Sequence, residues 1–370
     1  MPDPIRVGVV GASPTRGWAL GSHLPPLSAL PDFRLVAVAT SRAETARETA
    51  ERFGVPLAFG DPGELVVHPD VDLVTVSVKV PHHYELVRAA LEAGKHVFCE
   101  WPLGANTAEA SELLASARAQ GVRHVVGLQG RRSPTVNYVR DLVADGYLGE
   151  LLYAGLAVEG EGRGDQIAEE RVWTADRANG VGTLAILAGH NLDVLRYVVG
   201  DLVGLQATVA VRWPSATVVE TGATIEVTSP DVVLLQGRTG ERGYVSATVQ
   251  TGLPKGAGAE LELQGTDGVL RVRASRSLHL TDAALSLSGA TGEAPPAPLV
   301  VPDKYRTVPE AVPDTAARNV AGLYLTLADA FARDEPPESL EPSFATALEL
   351  HHLLDEIEAA SESGRRRAID

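Results

Sequence analysis

Two side chains in this sequence combine a proton-handling type with a position that favours chemistry. His190 lies in Gly189-His190-Asn191-Leu192-Asp193, inside an apolar stretch from Thr183 to Val199 that reads as one long, mostly buried helix. An imidazole that ionises near neutrality can act as general base toward a hydroxyl. Asp193 follows at i+3 on the same face, where it either orients the ring or fixes the helix to a neighbour. A hydrogen-bonded histidine inside a buried helix accounts for His190 equally well without chemistry. Lys79 stands at the end of the β-branched run Val71–Val80. Open parallel sheets place ligands at that end of a strand, so Lys79 reads as a base or as a solvated lysine. The adjacent pairs His82-His83 and His351-His352 lack the i, i+4 spacing of two helix-borne ligands, and no metal is expected. Cys99 falls in an apolar strand and reads as inert packing. No Gly-x-Ser-x-Gly elbow supports serine hydrolysis.

The elements that must position these groups begin with Val7-Gly8-Val9-Val10-Gly11-Ala12-Ser13-Pro14-Thr15-Arg16-Gly17-Trp18. Apolar strand runs into a glycine-bearing turn, with a helix expected next. Such a turn aims backbone N–H groups and a helix dipole at an anion, as in the first unit of a dinucleotide fold. The motif is irregular: Ser13 stands where a second glycine is usual, and one extra residue precedes Gly17. The second strand, Arg34–Thr40, ends at Thr40-Ser41-Arg42, with no acid until Glu44. An acidic residue there would suit the ribose hydroxyls of NAD(H), whereas serine and arginine suit a 2′-phosphate. NADP(H) is therefore expected over NAD(H), with Arg16 as a second cation. Ser41 also reads as the N-cap of the next helix, with Glu44 at the capping-box position.

Strands alternate with helices through Val71–Val80, His82–Ala93, Lys95–Cys99, an Asn106-capped helix to Gln120, and Val122–Leu128, which implies a parallel sheet. After Gln129 the pattern changes. Ser133-Pro134 opens a helix, and strand-like runs follow at Leu151–Val158, Gln206–Trp213, Ala223–Thr228, Val232–Gly237, Tyr244–Thr251, Glu260–Gln264 and Val269–Ala274. Gly265-Thr266-Asp267-Gly268 suits a hairpin turn. Gly289–Pro298 reads as a surface loop, Arg365-Arg366-Arg367 as a solvated chain end, and helices are expected near Thr315–Arg333 and Ser343–Ala360. The fold class is thus α/β: a Rossmann domain over 1–128, then an α+β domain over 129–370 with a large, mostly antiparallel open sheet. An open sheet face suits pairing with a second copy of the chain.

The 370 residues carry 45% apolar and 22% charged side chains, a formal charge of −16 and a single cysteine. The negative charge argues against nucleic acid and anionic membrane as partners. The first residues carry no apolar signal core and no run is long enough to span a bilayer, so a cytoplasmic location is expected.

Four segments together resemble the Gfo/Idh/MocA family of NAD(P)-dependent sugar oxidoreductases: the Gly11–Gly17 turn, Glu100-Trp101-Pro102-Leu103, Gly189–Asp193, and Gly265–Gly268. A narrower likeness is to the non-catalytic fungal galactose-regulon repressor subgroup. It runs through the serine and insertion of the first turn, Gly17-Trp18-Ala19, His83-Tyr84-Glu85, Glu100-Trp101, Leu128–Pro134 and Asn179-Gly180-Val181. The resemblance implies a cofactor site of Gly11, Ser13, Thr15, Arg16, Gly17, Trp18, Ser41, Arg42, Val78, His83, Glu100, Trp101 and Gln129. It implies a sugar site near Arg131, Trp173, Asn179 and His190, with His190 or Lys79 as catalytic group. It also shows two departures. Trp101 replaces the family's catalytic lysine, and an indole N–H cannot exchange a proton near neutrality. Ile186 stands where an aspartate is usual. The expected function is hydride transfer between a sugar or polyol and NAD(P). The alternative is an NAD(P)-binding sensor without turnover.

Overall fold

The computed structural model describes residues 3–161, 164–253, 255–256, 258–274, 277, 279–281 and 284–369. The chain divides into two compact units, Met1–Arg132 with Thr307–Glu349, and Ser133–Arg306 with Leu350–Asp370.

The first unit is built on six parallel strands, β1 (Ile5–Val10), β2 (Phe33–Ala39), β3 (Leu57–Phe59), β4 (Leu73–Val76), β5 (His96–Cys99) and β6 (His124–Val126), in the order β3-β2-β1-β4-β5-β6. Apart from Ile5, Leu35 and the edge strand β3, which are half-buried, their β-branched and apolar residues are buried on both faces, as a parallel sheet between helices requires. The order reverses at β1, whose two neighbours are β2 and β4. That reversal opens a crevice at the C-terminal strand ends, where Gly11, Ser77 and Glu100 leave the sheet. Helix Thr107–Gln120 is capped by Asn106, which accepts from Glu109 N–H at 3.0 Å, while Glu109 Oε2 accepts from Ala105 N–H at 2.8 Å. Helix Ala316–Ala332 returns to this unit late in the chain, and its Tyr324 sits in the same core as Val7, Phe33 and Phe98.

The second unit holds a nine-stranded sheet and a three-stranded one. Its strands are β7 (Leu151–Glu159), β8 (Gln166–Ile167), β9 (Leu202–Ala210), β10 (Ser215–Val218), β11 (Thr224–Glu226), β12 (Val232–Thr239), β13 (Gly243–Gln250), β14 (Gly258–Gly265), β15 (Gly268–Ala274), β16 (Ser286–Thr291), β17 (Ala297–Pro298) and β18 (Arg367–Ala368). The large sheet runs β17-β16-β15-β14-β7-β13-β12-β9-β18 and is antiparallel except where β13 pairs parallel with β7. The small sheet runs β11-β10-β8. Thr266-Asp267 makes the expected tight turn between β14 and β15. Among the described residues no helix is long and apolar enough to cross a membrane.

Five local expectations are corrected. The helix after the first turn is two short ones, Trp18–Ser22 and Leu24–Ala29, because Pro25 and Pro26 lack the N–H groups that would continue it. Ser41 does not cap the next helix. The cap position is Arg42, with no side-chain cap bond, and Thr40 Oγ1 instead donates to Arg42 O at 2.7 Å. Thr183–Val199 is not one α-helix but a π-helical stretch, Thr183–Ala188, followed by an α-helix, Gly189–Val199. Entry through Gly182, at φ 109°, sets the wider turn, and Leu187 N–H reaches back to Gly182 O. Gly289–Pro298 is not a plain loop, since Ser288 pairs with Pro298 and Gly289 with Ala297. The C-terminal arginines are not simply solvated: Arg367 pairs with Leu205 in the sheet, and its guanidinium binds Glu356.

Candidate functional site

In the first unit, the turn after β1 bends at Gly11, whose φ is +95°. A Cβ there would lie 2.0 Å from the Ser77 carbonyl oxygen, so the turn needs glycine for both conformation and space. Ser13 is half-buried, and Thr15, Arg16, Gly17 and Trp18 are exposed along the crevice. Gly17, at φ +98°, faces open space. Ser13 to Arg16 on one side, and Thr40 to Arg42 with Glu44, Thr45 and Glu48 on the other, line a cavity of about 390 Å³. This brings together the first-turn residues and the strand-end residues that the sequence assigns to a phosphate and a ribose.

Val78, Lys79, His83, Glu100 and Trp101 follow β4 and β5. Lys79 is exposed, and its carbonyl starts a 3-10 turn by accepting from His82 N–H at 2.9 Å. His83 is buried with both ring nitrogens against backbone carbonyls, Nδ1 to Pro102 O at 2.8 Å and Nε2 to Val78 O at 3.1 Å. It therefore ties the loop after β4 to the loop after β5. Trp101 is 4% exposed. Burial pushes the Cys99 thiol well up, which removes it as a nucleophile. Gln129, after β6, is buried, and its Oε1 has no protein partner. An unmet buried acceptor costs about 1–3 kcal/mol, which marks a place for a ligand donor. The open cavity, the glycine approach and this unmet oxygen together fit a dinucleotide. Arg131 instead pairs with Glu341 at 3.2 Å.

In the second unit, His190 opens the α-helix after the π-helical stretch and is 7% exposed, with no partner for Nδ1. His279, which the sequence did not single out, stands edge-on to it with ring centroids 5.4 Å apart. The segment carrying His279 is held by Asn191, whose Oδ1 accepts from Leu280 N–H at 2.9 Å. Burial first, and the His279 ring second, push His190 down to about 3. This corrects the near-neutral value expected from the residue type: at pH 7 His190 is an uncharged acceptor. Trp173 and Asn179 are half-buried, and Asn179 Nδ2 donates to Trp173 O at 2.6 Å, closing the loop. Ile186 is half-buried in the π-helical stretch. Among the described residues no group of three or more His, Cys, Asp or Glu could hold a metal ion.

Residues 5–128 match the oxidoreductase family with an NAD-binding Rossmann fold, Gfo/Idh/MocA, and residues 134–274 match the Gal80p C-terminal domain. The dehydrogenase aclE of Aspergillus oryzae is 34% identical over 65% of this chain and 68% of its own length. The chain belongs to the Gfo/Idh/MocA family. The galactose/lactose metabolism regulatory protein GAL80 of Saccharomyces cerevisiae is 28% identical over 63% of this chain, which spans only 58% of that protein. Among solved structures, a super-repressor mutant of Saccharomyces cerevisiae Gal80p superposes with a TM-score of 0.86 at 24% identity, covering 99% of this chain and 98% of that one. Levoglucosan dehydrogenase in complex with NADH and L-sorbose gives 0.84 at 21% identity, covering 100% and 99%. At these identities the superpositions establish the shared fold.

Proposed function

We propose that this Gfo/Idh/MocA protein is an oxidoreductase that moves hydride between a carbon of a sugar or sugar-like polyol and NAD(P), with preference for NADP(H). The carrying observation is the cavity that joins Arg16, Ser41 and Arg42. Because Ser41 does not cap the helix, capping no longer explains it, and its hydroxyl remains available to a 2′-phosphate. Two relatives support the chemistry by their names, the dehydrogenase aclE and levoglucosan dehydrogenase, the latter solved with NADH and a sugar.

The dinucleotide supplies the hydride acceptor or donor. Gly11 lets the backbone approach it, and Arg16 and Arg42 attract the 2′-phosphate. Glu44 and Glu48 line the same cavity, so the cations are not unopposed. The expected preference for NADPH over NADH is therefore about tenfold, not thousandfold. Arg42→Ala is expected to remove most of it, measured by fluorescence titration of both reduced cofactors. Tighter binding of NADH than NADPH by the wild type would rule out this reading of the pocket.

His190, neutral and with a free ring nitrogen, is proposed to take the hydroxyl proton, and Lys79 is the second candidate. His190→Asn is expected to lower turnover about tenfold, less than the usual share of a general base, because a ring held at about 3 accepts a proton weakly. Undiminished turnover in Lys79→Met would leave His190 alone in the role. Arg131, Trp173 and Asn179 are proposed to border the sugar. Their observed bonds support a shaping role, since each is already engaged within its own unit.

A second reading rests on two observations. Trp101, which the resemblance sets in the lysine's place, is buried, and residues 134–274 match the Gal80p C-terminal domain; both suit an NAD(P)-binding regulator without turnover. On either reading, a second copy is proposed to pair with the open sheet face. Leu234 and the register pair Tyr153 and Tyr244 are exposed there. A monomer in sedimentation velocity would remove that proposal.

A further inference from the structure

Four buried polar side chains of the first unit form a continuous chain. Glu100 leaves the C-terminal end of β5 and is 8% exposed. Its Oε1 lies 2.8 Å from His23 Nε2. His23 Nδ1 lies 2.9 Å from Tyr324 Oη, which lies 2.9 Å from Thr75 Oγ1. His23, Thr75 and Tyr324 are each 0% exposed. The four come from separate elements: the joint between the two short helices after the first turn, β4, the loop after β5, and helix Ala316–Ala332.

For the uncharged form of the His23 ring, the hydrogen bonds have one consistent direction. A carboxylate only accepts, so His23 Nε2 carries the hydrogen. In the neutral ring, Nδ1 then accepts from the Tyr324 hydroxyl, and the Tyr324 oxygen accepts from Thr75. Burial pushes the Tyr324 phenol up, so it remains a donor. Phe98 stands edge-on to His23 at 5.1 Å and tilted against Tyr324 at 5.0 Å, fixing both rings. On the far side of the carboxylate is Gly127, where a Cβ would lie 2.6 Å from Glu100 Oε2. One oxygen is thus held by His23, and the other faces a backbone that leaves no room for a side chain.

Apolar residues would fill this volume with less desolvation cost, so a buried carboxylate held so closely points to a task. Its place suggests which. The strand order puts the cavity of Arg16 and Arg42 beside β1 and β2, and Glu100 across the reversal point, after β5. A dinucleotide spanning that reversal with its adenosine half at the cavity brings its nicotinamide half toward β4 and β5.

We propose that His23 and Tyr324 are positioning residues that hold the Glu100 carboxylate against the nicotinamide half of the bound cofactor. A fixed negative charge there favours the oxidised, positively charged ring. The inference rests on the dinucleotide reading of the first unit and holds for an enzyme or a regulator alike.

The test compares affinities for NADP⁺ and for 2′,5′-ADP, which lacks the nicotinamide half. Tyr324→Phe removes only the hydroxyl. It is expected to weaken NADP⁺ about tenfold and to leave 2′,5′-ADP within about twofold, as misplacing one preorganised group does. Thr75→Val, which cuts the chain at its far end, is expected to act in the same direction by about threefold, and Thr75→Ser to restore the wild-type value. This pair serves if Tyr324→Phe does not fold. Equal losses for NADP⁺ and the fragment would mean a general structural role and would overturn the inference, as would no loss at all. A wild-type protein that bound neither ligand would instead overturn the dinucleotide reading, and the inference with it.

Discussion

Gly11→Ala is expected to abolish measurable dinucleotide binding and to lower the unfolding temperature of the first unit. The added Cβ would sit 2.0 Å from Ser77 O and 2.8 Å from Ser77 C, with the backbone at φ +95°. Relief would require the Ser77 peptide to move, but Ser77 N–H is tied to Val10 O at 3.0 Å as the strand pair β1 and β4 ends. The combined clash and left-handed strain cost about 2–5 kcal/mol. Gly17→Ala separates the two causes. Gly17 has nearly the same φ, +98°, and nothing within 4 Å of an added Cβ. Only the conformational cost of about 1 kcal/mol applies there. Calorimetry on both variants should rank Gly11→Ala well below Gly17→Ala. Equal melting temperatures would show that the Ser77 contact does not constrain the turn.

Both units are expected to lose stability in mild acid, well before most carboxylates titrate. Burial holds His124 and His351 down at about 4. Burial and the Arg123 charge hold His96 at about 4. His190 is held at about 3, as described. In the unfolded chain each returns to about 6.5. Between pH 6.5 and these folded values the unfolded state binds protons that the folded state refuses, so stability falls as pH falls. Each histidine contributes up to about 1.4 kcal/mol per pH unit; each unit holds two of these four, and the first also holds His83, which burial pushes down in the same sense and which the sum below leaves out. From pH 7.5 to 5 the loss is about 4 kcal/mol per unit, or a drop of roughly 10 °C in melting temperature. Glu358, whose carboxyl is pushed up by burial, works in the opposite sense but is one group. His124→Gln and His351→Gln should each flatten the profile. A melting temperature constant from pH 7.5 to 5 would contradict it.

The local grammar of this chain is readable because local interactions write it. Asn106, Ser133 and Thr315 cap the helices they precede, each accepting a backbone N–H two or three residues on. Thr266-Asp267 turns the hairpin, and the alternating β-branched strands fall close to their expected places. What is not readable depends on distance or on competition. Tyr324 meets His23 across 301 positions, and Arg131 meets Glu341 across 210, so neither partner is marked in its own neighbourhood. The return of residues 307–349 to the first unit has the same cause. Ser41 misses the cap because the helix starts one residue later, with Arg42 at the cap position and no side-chain cap bond. His190 has the residue type of a neutral-pH base, but its burial and His279 set its ionisation, and those are tertiary facts. The three-stranded sheet is legible only in part: the run Ala223–Thr228 covers β11, whereas β8 has two residues and β10 four, too few for a periodicity.

The measurement that bears most directly on the proposed function is a turnover assay. Purified protein at high concentration is mixed with NADP⁺ and a panel of aldoses, polyols and glycosides, while reduced-nicotinamide absorbance is followed. A rise with one class of sugar, reduced in His190→Asn, is the predicted result. A flat trace across the panel, from protein shown by titration to bind NADP(H), would contradict an enzymatic role and leave Trp101 as the mark of a nucleotide-binding regulator.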